Sequence, residues 1–594
     1  MSDPPQEIII PRLTWTHADV LAAVGLADLL TDPTGEAARI VETDGGFGVR
    51  APQPVSDDYL SRLPLAVGYP FLQPNEKVAV PPAAEDRVDY KRESERVKAY
   101  RELRKQGRQD PKLAQDTAFA ELLQQMAPRP DWQLLRALNV LQGDETSNAV
   151  HAAVAGGDAA ERLHWVKQGV VALVLGRPAK VPWKAKSVQL FTPTAAKGYA
   201  RLKPDSTGRG DATKEHWTEP FVEWLRYRGY FRAACPYFIG NKGEHVRLLC
   251  PVPADIRVTA LAGVARALRR AQVYGGPAKI DCLAVLNLAR ILIEHSTEYH
   301  AADVPAFEGL DLCGRTPAEV ISAVTVTHYQ AMGSAKAVSA MSTLALPGWF
   351  PITDAARAQT WLAILDEHTR ALRSLDDKHS YEISLLIQYR RFLERRGPAA
   401  LDALLDFMGA YGQFLIRARE QKRRVPSFTT DHFKEVVMGL KADYVAILED
   451  PGFDAVAAAV RRATVSAQAQ KSMGQKDYRE IRYDLIPELR RKRTLSDSAP
   501  FLEAVADFIS AYNVENARRR EMGRKAPPNV TTHEFASFCR HVQSHGASLV
   551  GALLCAYGSC RRPYEKEAEE GEEYQPEEQN HELADQEAVG AEEE

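Results

Sequence analysis

The sequence predicts an α+β fold: a mixed N-terminal region with short strands and hairpins, followed by a mainly α-helical C-terminal bundle. Three observations predict it. Two hairpin signals, RIVETDGGFGVRAP and FRAACPYFIGNKGEHVRLLCPVP, each flank a glycine-containing turn with β-rich runs. Beyond the Pro/Gly break LALPGWFPI (344–352), apolar residues recur at helical spacing to about residue 560. Residues 563–594 are glutamate-rich and lack the apolar content of a packed core, so disorder is expected there. The chain of 594 residues therefore divides into 1–345, 346–562 and 563–594.

In chain order, EIIIPRLTW reads as a short strand. THADVLAAVGLADLLTD reads as an amphipathic helix with Thr16 as its N-cap. The first hairpin turns at Asp44-Gly45-Gly46, and the proline-rich stretch Pro64 to Pro82 reads as loop. Residues 86–126 are helical and charged, with ten basic against five acidic side chains between Arg87 and Lys112. Arg101, Arg104, Lys105 and Arg108 share one helix face, as a solvated surface or as a stripe that tracks phosphates.

Residues 180–219 carry few helix signals. Lys197, Arg201, Lys203 and Arg209 alternate there with Phe191, Tyr199 and Trp217, a mixture that fits a plain surface loop or a strand with unstacked bases. The second hairpin puts Asn241 and Lys242 at its tip, where a cation can enter a groove. From Ile256 to Met341 the expectation is helical, through DIRVTALAGVARALRRA, KIDCLAVLNLARILIEHS and TPAEVISAVTVTHYQAM. The bundle then contains YEISLLIQYRRFLERR, ALDALLDFMGAYGQFLIRARE, HFKEVVMGLKADYVAILED, FDAVAAAVRRATVSAQAQ and FLEAVADFISAYNVENARRR.

Hydrophobic residues make up 45% and charged residues 26%, ordinary values for a globular protein. Apolar runs such as Val170 to Leu175 are far too short to span a bilayer. MSDPPQEIII has no basic segment followed by an apolar one, so a cytoplasmic location and no membrane partner are expected. The seven cysteines form no C-x-x-C pair, which suggests reduced, mostly buried thiols rather than a zinc site.

The net charge of −4 conceals an asymmetry. Residues 563–594 hold fourteen Asp/Glu and one lysine, leaving 74 basic against 65 acidic side chains elsewhere, a net of +9. A mildly basic body of this kind suggests a polyanionic partner. The tail itself reads as a competitor of nucleic acid or as an aid to solubility, with solubility favoured.

Catalytic signatures are missing from the sequence. It has no G-x-x-x-x-G-K-[ST], no H-E-x-x-H, no G-x-S-x-G and no zinc deaminase pattern. His295 and His300 lie five apart and would point about 140° away from each other on a helix. Asp376-Asp377-Lys378-His379 fits a cap or loop better than a nuclease. The expectation is a non-enzyme with no cofactor and no metal.

The strongest signal lies between residues 417 and 493, with seventeen Lys/Arg against eleven Asp/Glu. Its clusters are Arg417 and Arg419; Lys422, Arg423 and Arg424; Arg461 and Arg462; Lys471, Lys476, Arg479 and Arg482; and Arg490, Arg491, Lys492 and Arg493. Arg518, Arg519 and Arg520, then Arg524 and Lys525, follow. A guanidinium fork matches phosphate oxygens and stacks on bases. A single cluster at a helix C-terminus answers the helix dipole; five or six in one bundle exceed that need. This surface is expected to bind a strand backbone with little sequence preference.

PSFTTDHFKEVVMGL, AAAVRRATVSAQAQK, YREIRYDLIPELRRK and DFISAYNVENARRR, in that order, resemble the C-terminal half of large subunits of type I CRISPR Cascade complexes. So does the closing THEFASFCRHVQSHGASLVGALLCAYGSCR. The resemblance covers about residues 380–562, and LAAVGLADLL is weakly similar to the opening helix of that family. It implies partners: a guide CRISPR RNA, target double-stranded DNA with its displaced strand, backbone and other Cascade subunits, and a recruited helicase-nuclease. It also implies an N-terminal region that touches the guide and reads a short protospacer-adjacent motif. Base pairing would choose the sequence. Asn241 and Lys242, then the 197–214 loop, are the candidates for motif reading. The rival readings are a nuclease with an unrecognised site, a helical RNA-binding scaffold unrelated to CRISPR, and a purely protein-binding helical scaffold.

Overall fold

A computed structural model describes residues 5–32, 35–65, 69–73, 87–141, 154, 156–183, 190–193, 219–239, 245–271, 273–332 and 335–562. Its N-terminal half contains two four-stranded antiparallel sheets. The first has strands β1 (Glu7–Pro11), β2 (Arg39–Thr43), β3 (Gly46–Arg50) and β8 (Asp255–Arg257), in the order β1-β3-β2-β8. Ile8 and Ile10 of β1 are buried while Glu7 and Ile9 are exposed, as alternation on a half-buried sheet requires. Thr43 pairs with Gly46, so the first hairpin closes on Asp44-Gly45.

Thr16 caps the helix His17–Leu29 by accepting from Ala18 N, as expected. This helix is almost wholly buried because it crosses the equally buried helix Pro220–Ala233. A Cβ on Gly25 would sit 1.8 Å from the Leu225 carbonyl oxygen, and one on Gly229 would sit 2.0 Å from that of Leu21. Each helix therefore needs its glycine for the two backbones to touch.

The second sheet joins β6 (Cys235–Ile239), β7 (His245–Pro253), β9 (Ile321–Met332) and β10 (Ala335–Ala345) in the order β10-β9-β7-β6. The β6–β7 pair is the predicted second hairpin. β9 and β10 correct the sequence expectation, which read Ile256 to Met341 as helical, TPAEVISAVTVTHYQAM included. Within TPAEVISAVTVTHYQAM only Pro317–Glu319 forms a helical turn. Val324, Val326, Thr325 and Thr327 put branched carbons on consecutive positions, which restricts χ1 and fits a pleated surface. The proline-rich stretch likewise holds a short strand, β4 (Phe71–Gln73), parallel to β5 (Arg87–Asp89).

The helices Val258–Arg270 and Pro277–Glu294 form as predicted, between β8 and β9 in the chain. From Ala355 to Tyr557 the regular elements are all helical. Pro398–Glu420 is the centre of the bundle, packed by Ser380–Leu393, Val465–Ser472, Leu485–Lys492 and Ala547–Tyr557. It is the one described helix long and apolar enough to cross a membrane, and 78% of its apolar window is buried inside the protein. Asp281, fully buried, accepts from Arg247 of β7 and, at 2.8 Å, from Arg390 of the helix Ser380–Leu393. That carboxylate ties the second sheet to the bundle.

Two fully buried histidines stay neutral. His17 bonds Thr327 Oγ1 at 2.9 Å and the Leu190 carbonyl at 2.8 Å, and burial pushes its pKa down to about 4. His368 bonds the Tyr389 hydroxyl at 2.8 Å and is likewise pushed down by burial to about 4. In the unfolded chain both titrate near 6.5. Between pH 6.5 and about 4 the unfolded state therefore binds more protons, and stability falls as pH falls. Urea midpoints measured across that window should drop with acid. The slope should flatten in His17→Gln and His368→Gln; an unchanged slope would refute the assignment.

Candidate nucleic-acid interface

The helix Tyr90–Gln109 presents the first predicted stripe. Tyr90 stacks on Trp132 with ring centroids 5.3 Å apart, and Val97 is buried. The Arg96 guanidinium donates to the carbonyls of Gln125 and Ala127. With that face anchored, Arg101, Arg104 and Arg108 are exposed and Lys105 is half-buried, as their spacing predicts. Lys197, Arg201, Lys203, Arg209, Asn241 and Lys242 lie outside the described residues.

The arginine clusters of the bundle divide into two classes, which the sequence did not separate. Arg461 is 1% exposed; it donates to the carbonyl oxygens of Cys560 and, at 3.2 Å, Tyr557. Arg479 is buried on the Tyr512 ring, 4.0 Å from its centroid, and bonds Asn516 at 2.5 Å and Glu515 at 2.7 Å. Arg423 grips Glu382 at 2.6 and 2.9 Å. Arg493 pairs with Asp406 and donates to the Ser548 carbonyl at 3.1 Å. Arg519 pairs with Asp477 at 2.8 Å. All five link elements of the bundle. Arg461 and Arg479 are buried, and a buried guanidinium is held by the partners that satisfy it, so their assignment to nucleic-acid binding is corrected. Arg423, Arg493 and Arg519 are half-buried and ion-paired.

Weaker pairs occupy the margin. Arg462 donates to the Tyr512 hydroxyl at 3.3 Å. Arg482 meets Glu480 at 3.1 Å, and Lys492 meets Glu488 at 3.1 Å. Such partly exposed pairs contribute roughly 0–1 kcal/mol and exchange partners readily.

The exposed class is Arg417, Lys422, Arg424, Lys476, Arg491 and Arg518. Arg417 lies on one face of Pro398–Glu420, which the half-buried Arg490 and Lys471 also approach. Arg490 crosses this helix at Gly409, where a Cβ would lie 3.3 Å from its Cδ. Tyr381, 41% exposed, donates to the Ala410 carbonyl at 3.2 Å. Burial raises the Tyr381 pKa, and the charges of Arg490 and Arg417 act against that. One further turn along, Glu420 pairs with Lys471 at 2.9 Å, and Lys471 donates to the Tyr483 hydroxyl at 3.4 Å. Tyr483 and Tyr478 are 38% and 37% exposed. From Asp406 to Glu420 this face runs about 20 Å.

Cations interleaved with accessible rings are what a single strand requires: charge for the backbone and flat faces for unstacked bases. Sequence reasoning found the cations but not Tyr381, Tyr478 or Tyr483. Tyr381 stands in a helix whose periodic pattern makes it look like a core position, and Tyr478 and Tyr483 lie in the irregular segment ahead of Leu485–Lys492. It also missed Trp15, which is 69% exposed at φ 55°. The buried Asp19 carboxylate fixes that turn by accepting from Thr14 N at 2.9 Å and Trp15 N at 2.8 Å.

Among the described residues, no three His, Cys, Asp or Glu side chains come together as metal ligands. His295 Nδ1 bonds the Pro305 carbonyl, and His300 Nδ1 bonds that of Ser296. Asp376 accepts from Lys378 N at 2.9 Å, the loop role expected of that tetrad. No protein-family model matches the chain, and no curated protein matches it in sequence.

The two classes differ in what their removal costs. Arg461→Leu leaves buried carbonyls unsatisfied and should lower unfolding free energy by about 1–3 kcal/mol. Arg417→Ala, Lys422→Ala and Arg491→Ala should each stay within about 0.5 kcal/mol of the parent chain. Urea unfolding checks both; equal costs would erase the distinction.

Proposed function

We propose that this chain is the non-catalytic large subunit of a cytoplasmic type I CRISPR RNA-guided complex. In this role it binds target DNA, reads the protospacer-adjacent motif and stabilises the displaced strand in antiviral defence. The observation that carries the reading is the face of Pro398–Glu420, which bears Arg417, meets Arg490 at Gly409 and Tyr381 at Ala410, and ends where Glu420 pairs with Lys471 beside Tyr483. It lies within residues 380–562, the stretch that resembles Cascade large subunits. A sequence-independent grip fits a task in which base pairing with a guide RNA selects the target.

The remaining roles follow from the same reading. The hairpin of β6 and β7 offers its tip, with Asn241 and Lys242, to the flanking motif on duplex DNA. The helix Tyr90–Gln109 offers Arg101, Arg104 and Arg108 to a phosphate backbone. Other Cascade subunits hold the guide, and a recruited helicase-nuclease cuts.

Single-strand binding tests the reading directly. Arg417→Glu, Lys476→Glu and Arg491→Glu together should weaken binding of single-stranded oligonucleotides of any sequence. The slope of log K against log salt should fall by about 0.7 for each lost contact. Loss of binding for one sequence only would sink the strand-grip assignment. Lys242→Ala should instead change the preference among flanking motifs in duplex targets, and a uniform loss across motifs would remove it from motif reading. Co-expression with the neighbouring genes should co-purify a guide-sized RNA.

A further inference from the structure

We propose that the C-terminal ends of the helices Pro220–Ala233 and Val258–Arg270 together form a binding site for a dianionic phosphate group, held by Arg232, Arg266, Arg269 and Arg270. The site belongs to the N-terminal half and shares no residue with the face of Pro398–Glu420, so it does not rest on the strand-binding reading.

Two carbonyls fix how Val258–Arg270 is turned. Leu268 accepts from the Tyr237 hydroxyl at 3.0 Å and Ala265 from the Cys235 thiol at 3.5 Å, so that side of the helix lies on β6. Arg266 and Arg270, one turn apart, are exposed. Arg269 reaches the neighbouring helix: its Nη1 donates at 2.8 Å to the carbonyl of Ala234, the C-cap of Pro220–Ala233. Arg232 stands in the last turn of that helix, two residues before Ala234. Two helix ends thus bring four guanidiniums together.

The cluster is short of carboxylates. Among the described residues Asp28 is the acid that pairs with it, and Asp28 is already filled. Its Oδ1 accepts from Arg232 Nε at 2.6 Å, and its Oδ2 accepts from Arg228 Nη2 at 2.6 Å and from the Tyr69 hydroxyl at 2.8 Å. Arg266 and Arg270 have no side-chain hydrogen bond or ion pair among the described residues. Arg269 Nε is buried without an acceptor. Burial lowers the Arg266 pKa, and the charges of Arg269, Arg270 and Arg232 lower it further. The helix dipole accounts for a basic last turn on each helix. It does not account for setting the two turns against each other, with Arg266 added one turn back. Like charges one turn apart repel, so the arrangement weakens the folded chain unless an anion sits among the guanidiniums.

The concentration of charge selects the ligand. Guanidinium forks match phosphate oxygens. A strand backbone carries a single charge on each phosphate and spreads them along its length. A phosphate monoester or a pyrophosphate delivers nearly a full second charge at the same point. The site therefore takes a terminal or compact phosphate, either on the end of a strand or on a small free molecule such as a nucleoside diphosphate.

Urea unfolding of the full chain at fixed ionic strength, with pyrophosphate as the probe, tests the site. Pyrophosphate should raise the parent midpoint, as binding to the folded state requires. Arg266→Gln with Arg270→Gln should weaken that binding about tenfold. Without pyrophosphate the same variant should unfold at or above the parent midpoint, because a repulsion is gone. Arg391→Gln with Arg395→Gln, an exposed pair of equal charge and spacing, should bind pyrophosphate as the parent does. Earlier unfolding of the Arg266 and Arg270 variant without pyrophosphate would mark these arginines as structural and overturn the site. So would equal loss of binding in the two variants, or no binding by the parent. Oligothymidine with a 5′-phosphate, compared with the same strand ending in a 5′-hydroxyl, then identifies the source. A preference of about tenfold for the phosphorylated end, lost in Arg266→Gln with Arg270→Gln, assigns the site to a strand terminus. Pyrophosphate binding through these arginines with no such preference assigns it to a small free phosphate compound.

Discussion

The structure depends on the rule that a buried charge must be answered where it lies. Asp281 is the clearest case. It is fully buried, and it sits between Arg247 of the second sheet and Arg390 of the bundle. Arg390 also reaches Ser342 of β10 at 2.6 Å. Removing one partner of such a group strands the others and costs roughly 3–5 kcal/mol. The contact therefore fixes where the bundle stands on the sheet, whatever the intervening LALPGWFPI segment would otherwise allow.

The same rule sorts the arginines of the bundle. Arg461 closes the C-terminal helix onto the Pro451–Ala463 helix through backbone carbonyls, and Arg479 holds the 475–483 segment on the end of Ala499–Glu521. Arg493 pins Leu485–Lys492 to the central helix through Asp406. Because these three links position the cationic face, the structural arginines and the exposed ones are not independent. The first set places the second.

Local signals were legible in the sequence where one residue type decides the geometry. Thr16 and the Asp44-Gly45 turn fall where expected, and so do the long periodic helices. β9 was not legible, because its apolar residues also match a helical template and only the branched run argued for a strand. The arginine clusters were legible as composition but not as function. Arg461 and Arg462 are neighbours in sequence, yet one is sealed beneath Tyr557 and the other lies at the margin near Tyr512. Which of the two faces inward depends on the rotation of the helix about its axis, a tertiary fact. The exposed tyrosines were missed for the converse reason: Tyr381 anchors its hydroxyl on Ala410 while leaving much of its ring open.

A face of this kind need not be fully unpaired to bind a strand. Glu420–Lys471 and Glu488–Lys492 are surface pairs, held by modest energies that salt screens. A phosphate that replaces one carboxylate keeps the cation satisfied and frees the carboxylate to water. The exchange costs little, while release of condensed counterions from the strand favours it. Paired cations on the rim therefore remain usable, whereas Arg461 and Arg479, enclosed by the helices they join, do not.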